Sequence, residues 1–66
     1  MGRDEERVHA LAVALIQDCG DEAHLRALLR AMNLRSEGNL ARAELWERVA
    51  VMIAEIQMRP PLDRYH

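Results

Sequence analysis

The segment 49–54, which reads VAVMIA, places no polar side chain on any side of a helix. It lies inside a longer stretch made mainly of Leu, Ala, Glu and Arg, the residue types that favour helices most strongly. A helix that is apolar on every side is expected to be buried on every side. Because two neighbouring helices leave part of a third uncovered, this segment predicts packing against something beyond the chain's own helices.

The chain is predicted to form three helices, since its apolar residues recur at helical spacing over about 3–18, 21–32 and 40–58. Gly20 suits the left-handed cap that ends the first helix. Asp21 and Asn39 are good N-caps for the second and third helices. The predicted fold class is therefore all-α, a three-helix unit.

Two consecutive prolines, Pro60 and Pro61, mark the end of the third helix, because proline excludes the residue before it from helical geometry. We expect a single helical domain over 1–59 and a Pro-terminated C-terminal tail over 60–66. The Pro-Pro pair also fits a polyproline II docking peptide. A helix terminator followed by a loose end is the simpler interpretation.

The second predicted helix has an amphipathic pattern. Its large apolar side chains form one face, made of Leu25, Leu28, Leu29 and Met32. The residues away from that face are His24, Arg26, Ala27, Arg30 and Ala31. By this pattern the surplus of apolar surface belongs to the first and third helices, which are apolar around most of their circumference.

That surplus predicts self-association. A chain of 66 residues buries only about 60% of the surface that its unfolded form exposes, and Cys19, its single cysteine, cannot form an intramolecular disulfide. A homodimeric helical bundle, pairing the first and third helices across a two-fold axis, would bury the surplus. Trp46 is the candidate anchor, because tryptophan is enriched at hot spots. The predicted interface residues are Leu11, Leu15, Trp46, Val49, Met52, Ile53 and Ile56.

A monomer is the alternative to this dimer. The tail RPPLDRYH would then fold back, and Leu62 and Tyr65 would cover the extra apolar surface. A larger protein partner, for which this chain is an accessory subunit, would bury the same surface. Both alternatives stay open at the level of sequence.

Catalytic and metal-binding patterns are missing from the sequence. Ser36, Cys19 and Tyr65 are the candidate nucleophiles, none of them lies in a recognisable nucleophile turn, and there is no glycine-rich phosphate loop. Glu5 and His9 share a helix face and could offer two metal ligands, but nothing nearby in sequence supplies a third. We therefore predict a protein that is not an enzyme and uses no cofactor or metal.

Apolar runs are too short for a membrane span. The longest, residues 10–16, is far below the roughly 20 residues that cross a bilayer. The charged sequence GRDEER before it does not fit a signal peptide. We expect a cytoplasmic protein with no membrane partner.

Charge is segregated along the chain. The formal net charge is −2, yet residues 25–43 hold one glutamate and four arginines, which are Arg26, Arg30, Arg35 and Arg42. Such a positive edge fits an acidic protein partner or a phosphate backbone. Ordinary solvated arginines, partly paired with the chain's own acids, would give the same pattern.

Residues 24–49 resemble the SAP motif, a small helix–turn–helix module usually bound to DNA. HLRALLRAMNL is similar to its leucine-rich first helix and turn, SEGN to its polar linker, and AELWERV to the start of its second helix. The resemblance implies phosphate contacts at Ser36, Gly38 and Asn39, with Arg42 in place of the usual lysine. The chain departs from the family by lacking glycine at the usual turn position and by a longer gap after the linker.

Together these patterns predict a small helical regulator or adaptor that acts through protein–protein interaction as a homodimer. The alternative is a DNA- or RNA-binding protein that uses the positive edge of the second helix and the following turn. A dimer would place two such edges across a two-fold axis, as palindromic sites require.

Overall fold

The computed structural model of the chain describes the backbone of residues 2–57 and the side chains of residues 4–57. Helix α1 covers Gly2–Cys19, a turn of 3₁₀-helix follows at Gly20–Glu22, helix α2 covers Ala23–Ser36 and helix α3 covers Leu40–Gln57. The prediction of an all-α fold is confirmed for this part of the chain, in which no strand occurs. The predicted tail, with Leu62 and Tyr65, lies outside the described residues.

The junction between α1 and α2 is itself helical. Gly20 has φ +60°, which confirms the predicted left-handed glycine. The Ala23 N–H then donates to the Gly20 carbonyl, so that backbone hydrogen bonding continues through the turn. The prediction of Asp21 as an N-cap is wrong: Glu22 occupies the position before α2, and no side chain caps the helix there. The first two predicted helices are thus one nearly continuous helical stretch with a bend at Gly20.

The turn between α2 and α3 ends one helix and starts the next. Gly38 has φ +86°, and its N–H donates to the Arg35 carbonyl at 3.0 Å. The Asn39 N–H donates to the Leu34 carbonyl at 2.9 Å, which completes a Schellman motif. Asn39 Oδ1 accepts from the Arg42 N–H at 3.3 Å, so the prediction of Asn39 as an N-cap is confirmed.

The core lies where the three helical segments meet. Its residues are mostly small, because Ile53 and Val49 are the largest fully buried side chains among the described residues. Gln57 Nε2 donates to the Gly20 carbonyl at 2.9 Å, which places the end of α3 beside the α1–α2 bend. The buried cluster comprises Val8, Ala12, Ala23, Ala27, Val49, Ala50 and Ile53.

Helix α2 packs on the side opposite to the one predicted. Ala23, Ala27 and Ala31 are buried. They recur every four residues, so they form one strip along the helix. Helix α3 contributes Ala43 and Ala50, which are also buried. Small side chains on both helices let the backbones approach closely, as the short turn between the helices requires. The sequence-based assignment of Ala27 and Ala31 to the outer side of this helix is therefore wrong.

The apolar segment of α3 is covered on two sides only. Val49, Ala50 and Ile53 are buried, whereas Val51 is 58% exposed. Since α1 and α2 occupy two sides of α3, the third side reaches the surface. The expectation of apolar surface left over on this helix therefore holds at Val51.

Candidate interaction surface

The outer side of α2 is a continuous apolar stripe, which we call the leucine face. It consists of Leu25, Leu28, Leu29 and Met32, whose side chains are 56%, 37%, 46% and 64% exposed. Residues spaced by three, four and seven positions lie above one another on a helix. The buried alanine strip occupies the other side of α2, so this helix is apolar on two sides. Exposed stripes of this kind are typical of interaction sites.

Arginines border the leucine face on both flanks. By helical geometry, Arg26 and Arg30 lie on one flank and Arg35 lies on the other. Between Ala23 and Ser36 the helix carries these three arginines and no carboxylate. The leucine face is therefore an apolar stripe with positively charged side chains along both of its edges.

Two of the four predicted contact arginines pair with carboxylates of the same chain. Arg26 Nη2 lies 3.8 Å from Glu22 Oε1, and both side chains are more than half exposed. Arg35 pairs with Glu47, which joins α2 to α3. An exposed pair of this kind contributes little free energy and can exchange partners, since its median worth is about 0–1 kcal/mol.

The other two arginines have different surroundings. The Arg30 guanidinium lies over the ring of Trp46, with Cζ 5.2 Å from the ring centroid. Arg42 lies in the first turn of α3 and lines a shallow hollow together with Asp4 and Glu44. The four side chains thus do not converge on one point, and the predicted positive edge is divided between α2 and the start of α3.

In the turn that resembles the SAP linker, polar groups of Gly38 and Asn39 already form hydrogen bonds within the chain. The Gly38 and Asn39 N–H groups donate to carbonyls of α2, and the Asn39 side chain caps α3. Ser36 is the last residue of α2. A phosphate could take these N–H groups only if the turn gave up its own hydrogen bonds.

The predicted interface residues are mostly in contact with the chain's own core. Val49 and Ile53 are fully buried, so they have no surface left for a partner in this conformation. Ile56 is exposed. The remaining four are half-buried against the core, and they are Leu11, Leu15, Trp46 and Met52. The apolar pattern therefore did not predict the leucine face as a surface, although the alanines at positions 23, 27 and 31 mark the side of α2 that can pack closely on α3.

Trp46 lies in a groove where all three helices contribute. The groove has a volume of about 660 Å³, and its walls include Leu15, Cys19, Leu29 and Arg30. The indole Nε1 is inaccessible to solvent and has no hydrogen-bond partner among the described residues. Leu29 belongs both to this groove and to the leucine face, so the two surfaces are contiguous.

A second surface, which we call the acidic groove, runs between α1 and α3. Its volume is about 940 Å³. Val8, Val51 and Met52 supply its apolar part, and its charged residues are four glutamates and one arginine: Glu5, Glu44, Glu47, Glu55 and Arg48. Glu47 is the one of these acids that pairs with Arg35. The groove is thus net negative with an apolar floor.

Over residues 4–57, no group of three or more His, Cys, Asp or Glu side chains is arranged to hold a metal ion. Within the same part of the chain, no helix combines the length and the apolar character needed to cross a membrane. Comparison of the chain with protein-family models, with curated proteins and with solved structures gives no match. The leucine face and the acidic groove are therefore the features of this chain that indicate a function.

Proposed function

We propose that this chain is a small, non-enzymatic helical regulator or adaptor, a three-helix unit that acts through protein–protein interaction and forms a homodimer. The leucine face of α2 is its principal contact surface. This places the contact on α2 rather than on the first and third helices that the sequence pattern favoured.

The exposure of the leucine face carries this proposal. Fully burying a leucine or methionine side chain is worth about 1.5–3 kcal/mol relative to leaving it exposed. The chain instead buries the alanine strip of α2, which yields far less apolar area per residue. The side of α2 with the larger apolar area therefore remains exposed and is available for contact with another molecule.

The small size of the core favours a second copy of this chain as the partner that covers the leucine face. Only two large side chains are fully buried among the described residues. A domain of this size with no disulfide is marginal by itself, and oligomerisation is one of the usual remedies. Burial of the leucine face would add the large side chains that the core lacks.

Nucleic-acid binding by the positive edge has weaker support. Arg26 and Arg35 already have carboxylate partners, and the N–H groups of Gly38 and Asn39 already have acceptors. Phosphate contacts would make affinity fall steeply with salt concentration, so a titration with duplex or single-stranded DNA at low salt tests this alternative directly.

Sedimentation velocity tests the proposed function. The wild-type chain is expected to sediment as an oligomer at about 100 µM, and the double variant Leu25→Glu/Met32→Glu as a monomer, because two carboxylates would be desolvated in the interface. The matched control is Leu40→Glu, the same change at a residue of α3 that is 57% exposed and lies outside the leucine face. It is expected to behave like the wild type. A monomeric wild type, or a control as disruptive as the double variant, would contradict the proposal.

A further inference from the structure

The geometry points to a head-to-tail contact between copies, in which the leucine face of one chain docks into the acidic groove of the next. This inference rests on the proposed self-association, specifies which surfaces meet, and replaces a closed two-fold homodimer with a contact between two different surfaces. The occupant of the acidic groove is thus α2 of a second copy.

Pairing of two leucine faces is disfavoured by charge. In an antiparallel pair of identical helices, equal flanks meet, so the flank with Arg26 and Arg30 would face its own copy. In a parallel pair, opposite flanks meet, and Arg30 of each copy would approach Arg35 of the other. Arg26 and Arg35 each have one carboxylate partner, in exposed pairs that are worth little free energy, whereas Arg30 has no such partner among the described residues. The flanks therefore keep a positive excess, and like charges brought together oppose association, more so as the interface excludes water. Both symmetric arrangements of α2 on α2 carry this cost.

The acidic groove removes that conflict. Besides Glu47, which pairs with Arg35 of its own chain, the groove offers the carboxylates of Glu5, Glu44 and Glu55 to the arginines that border the leucine face. Its floor of Val8, Val51 and Met52 is apolar like the leucine face itself. Val51 is 58% exposed, and Glu47 and Glu55 lie one helical turn from it on the same side of α3, with Glu44 one turn further. An apolar stripe between arginines therefore meets an apolar floor between glutamates.

The two surfaces can be used at the same time. The acidic groove is lined by residues of α1 and α3, whereas the leucine face belongs to α2 alone. A contact between different surfaces is heterologous: each added copy leaves one unused leucine face and one unused groove at the ends. We therefore expect a dimer at low concentration that grows at higher concentration or closes into a ring.

Complementation between two variants tests this contact. Leu25→Glu/Met32→Glu blocks the leucine face, and Val51→Lys blocks the groove with a cation that repels the incoming arginines. Each variant alone is expected to be monomeric. An equimolar mixture is expected to form a one-to-one dimer that does not grow, because one intact leucine face and one intact groove remain. Leu40→Glu is the control and is expected to assemble like the wild type.

The outcomes separate the two proposals. A Val51→Lys chain that is folded by circular dichroism and still assembles like the wild type, with no dimer gained on mixing, would refute the head-to-tail contact and leave self-association standing. A monomeric wild type would refute both.

Salt dependence of the wild type gives a second test that needs no variant. Opposite charges across a heterologous contact predict that association weakens as salt is raised, by about tenfold or more between 50 mM and 500 mM. A symmetric contact between two leucine faces, which brings arginines together, predicts that association strengthens as salt is raised, because salt screens the repulsion between them. Association that strengthens with salt would overturn the inference.

Discussion

The guanidinium of Arg30 lies over the indole ring of Trp46, with 5.2 Å between Cζ and the ring centroid. This contact joins α2 to α3 at the border of the leucine face, where an exposed cation covers a half-buried aromatic ring. It therefore orients one of the arginines that flank the proposed contact surface.

Arg30→Ala is expected to destabilise the chain by about 0.5–1 kcal/mol, the range of a cation–π contact at an exposed site. Urea denaturation followed by circular dichroism measures the loss. Arg26→Ala is the matched control, because its exposed pair with Glu22 is worth at most a few tenths of a kcal/mol as an i,i+4 pair. Equal losses for the two variants would show that the ring contact contributes nothing specific.

Trp46 also provides a signal for the same contact, since it is the only tryptophan. Removal of the Arg30 side chain uncovers the indole ring. The emission maximum of Arg30→Ala is therefore expected to shift to longer wavelength, whereas that of Arg26→Ala should stay unchanged.

Ala27→Leu is expected to destabilise the chain by about 1–3 kcal/mol, because the added atoms must enter the tightly packed α2–α3 contact. Leu25→Ala, on the outer side of the same helix, should change the stability of the monomer by no more than about 0.5 kcal/mol. Chemical denaturation at a concentration low enough to keep the chain monomeric compares the two. If Leu25→Ala were the more damaging change, the sequence-based orientation of α2 would be correct after all.

Asn39→Ala is expected to cost about 1 kcal/mol of stability through loss of the cap on α3. Asp21→Ala should be neutral within about 0.5 kcal/mol, since Asp21 does not cap α2. Thermal unfolding of both variants and of Asn39→Asp, which keeps an acceptor oxygen, measures the difference. A large loss at position 21 would contradict the helical junction at Gly20.

Gly38→Ala is expected to destabilise the chain by about 1–2 kcal/mol, the cost of a left-handed backbone for an L-residue. Apart from the adjacent residues, no heavy atom lies within 4 Å of the Cβ that the substitution adds, so crowding by other parts of the described structure plays no part. A chemically synthesised chain with D-alanine at this position should recover the wild-type stability or exceed it. If D-alanine were as damaging as L-alanine, the backbone explanation would fail.

Local patterns determined most of the backbone. Helix propensity, the two glycines with positive φ and the Asn39 cap act between residues close in sequence, so the sequence contains them directly. The sequence pattern predicts an end of the second helix near residue 32, whereas α2 continues to Ser36, because the Schellman bonds at Gly38 and Asn39 hold the additional turn in place.

Only the tertiary structure decided which side of α2 faces inward. The leucines and the alanines of this helix both recur at helical spacing, and side-chain hydrophobicity alone favours burying the leucines. The decision depends on how closely α2 approaches α3, which the buried alanines of both helices and the short turn between them set together. The contacts of Arg35 with Glu47 and of Arg30 with Trp46 follow from the same approach, because the orientation of α2 determines which side chains reach α3, whereas the Arg26–Glu22 pair is a local i,i+4 contact that the sequence contains directly.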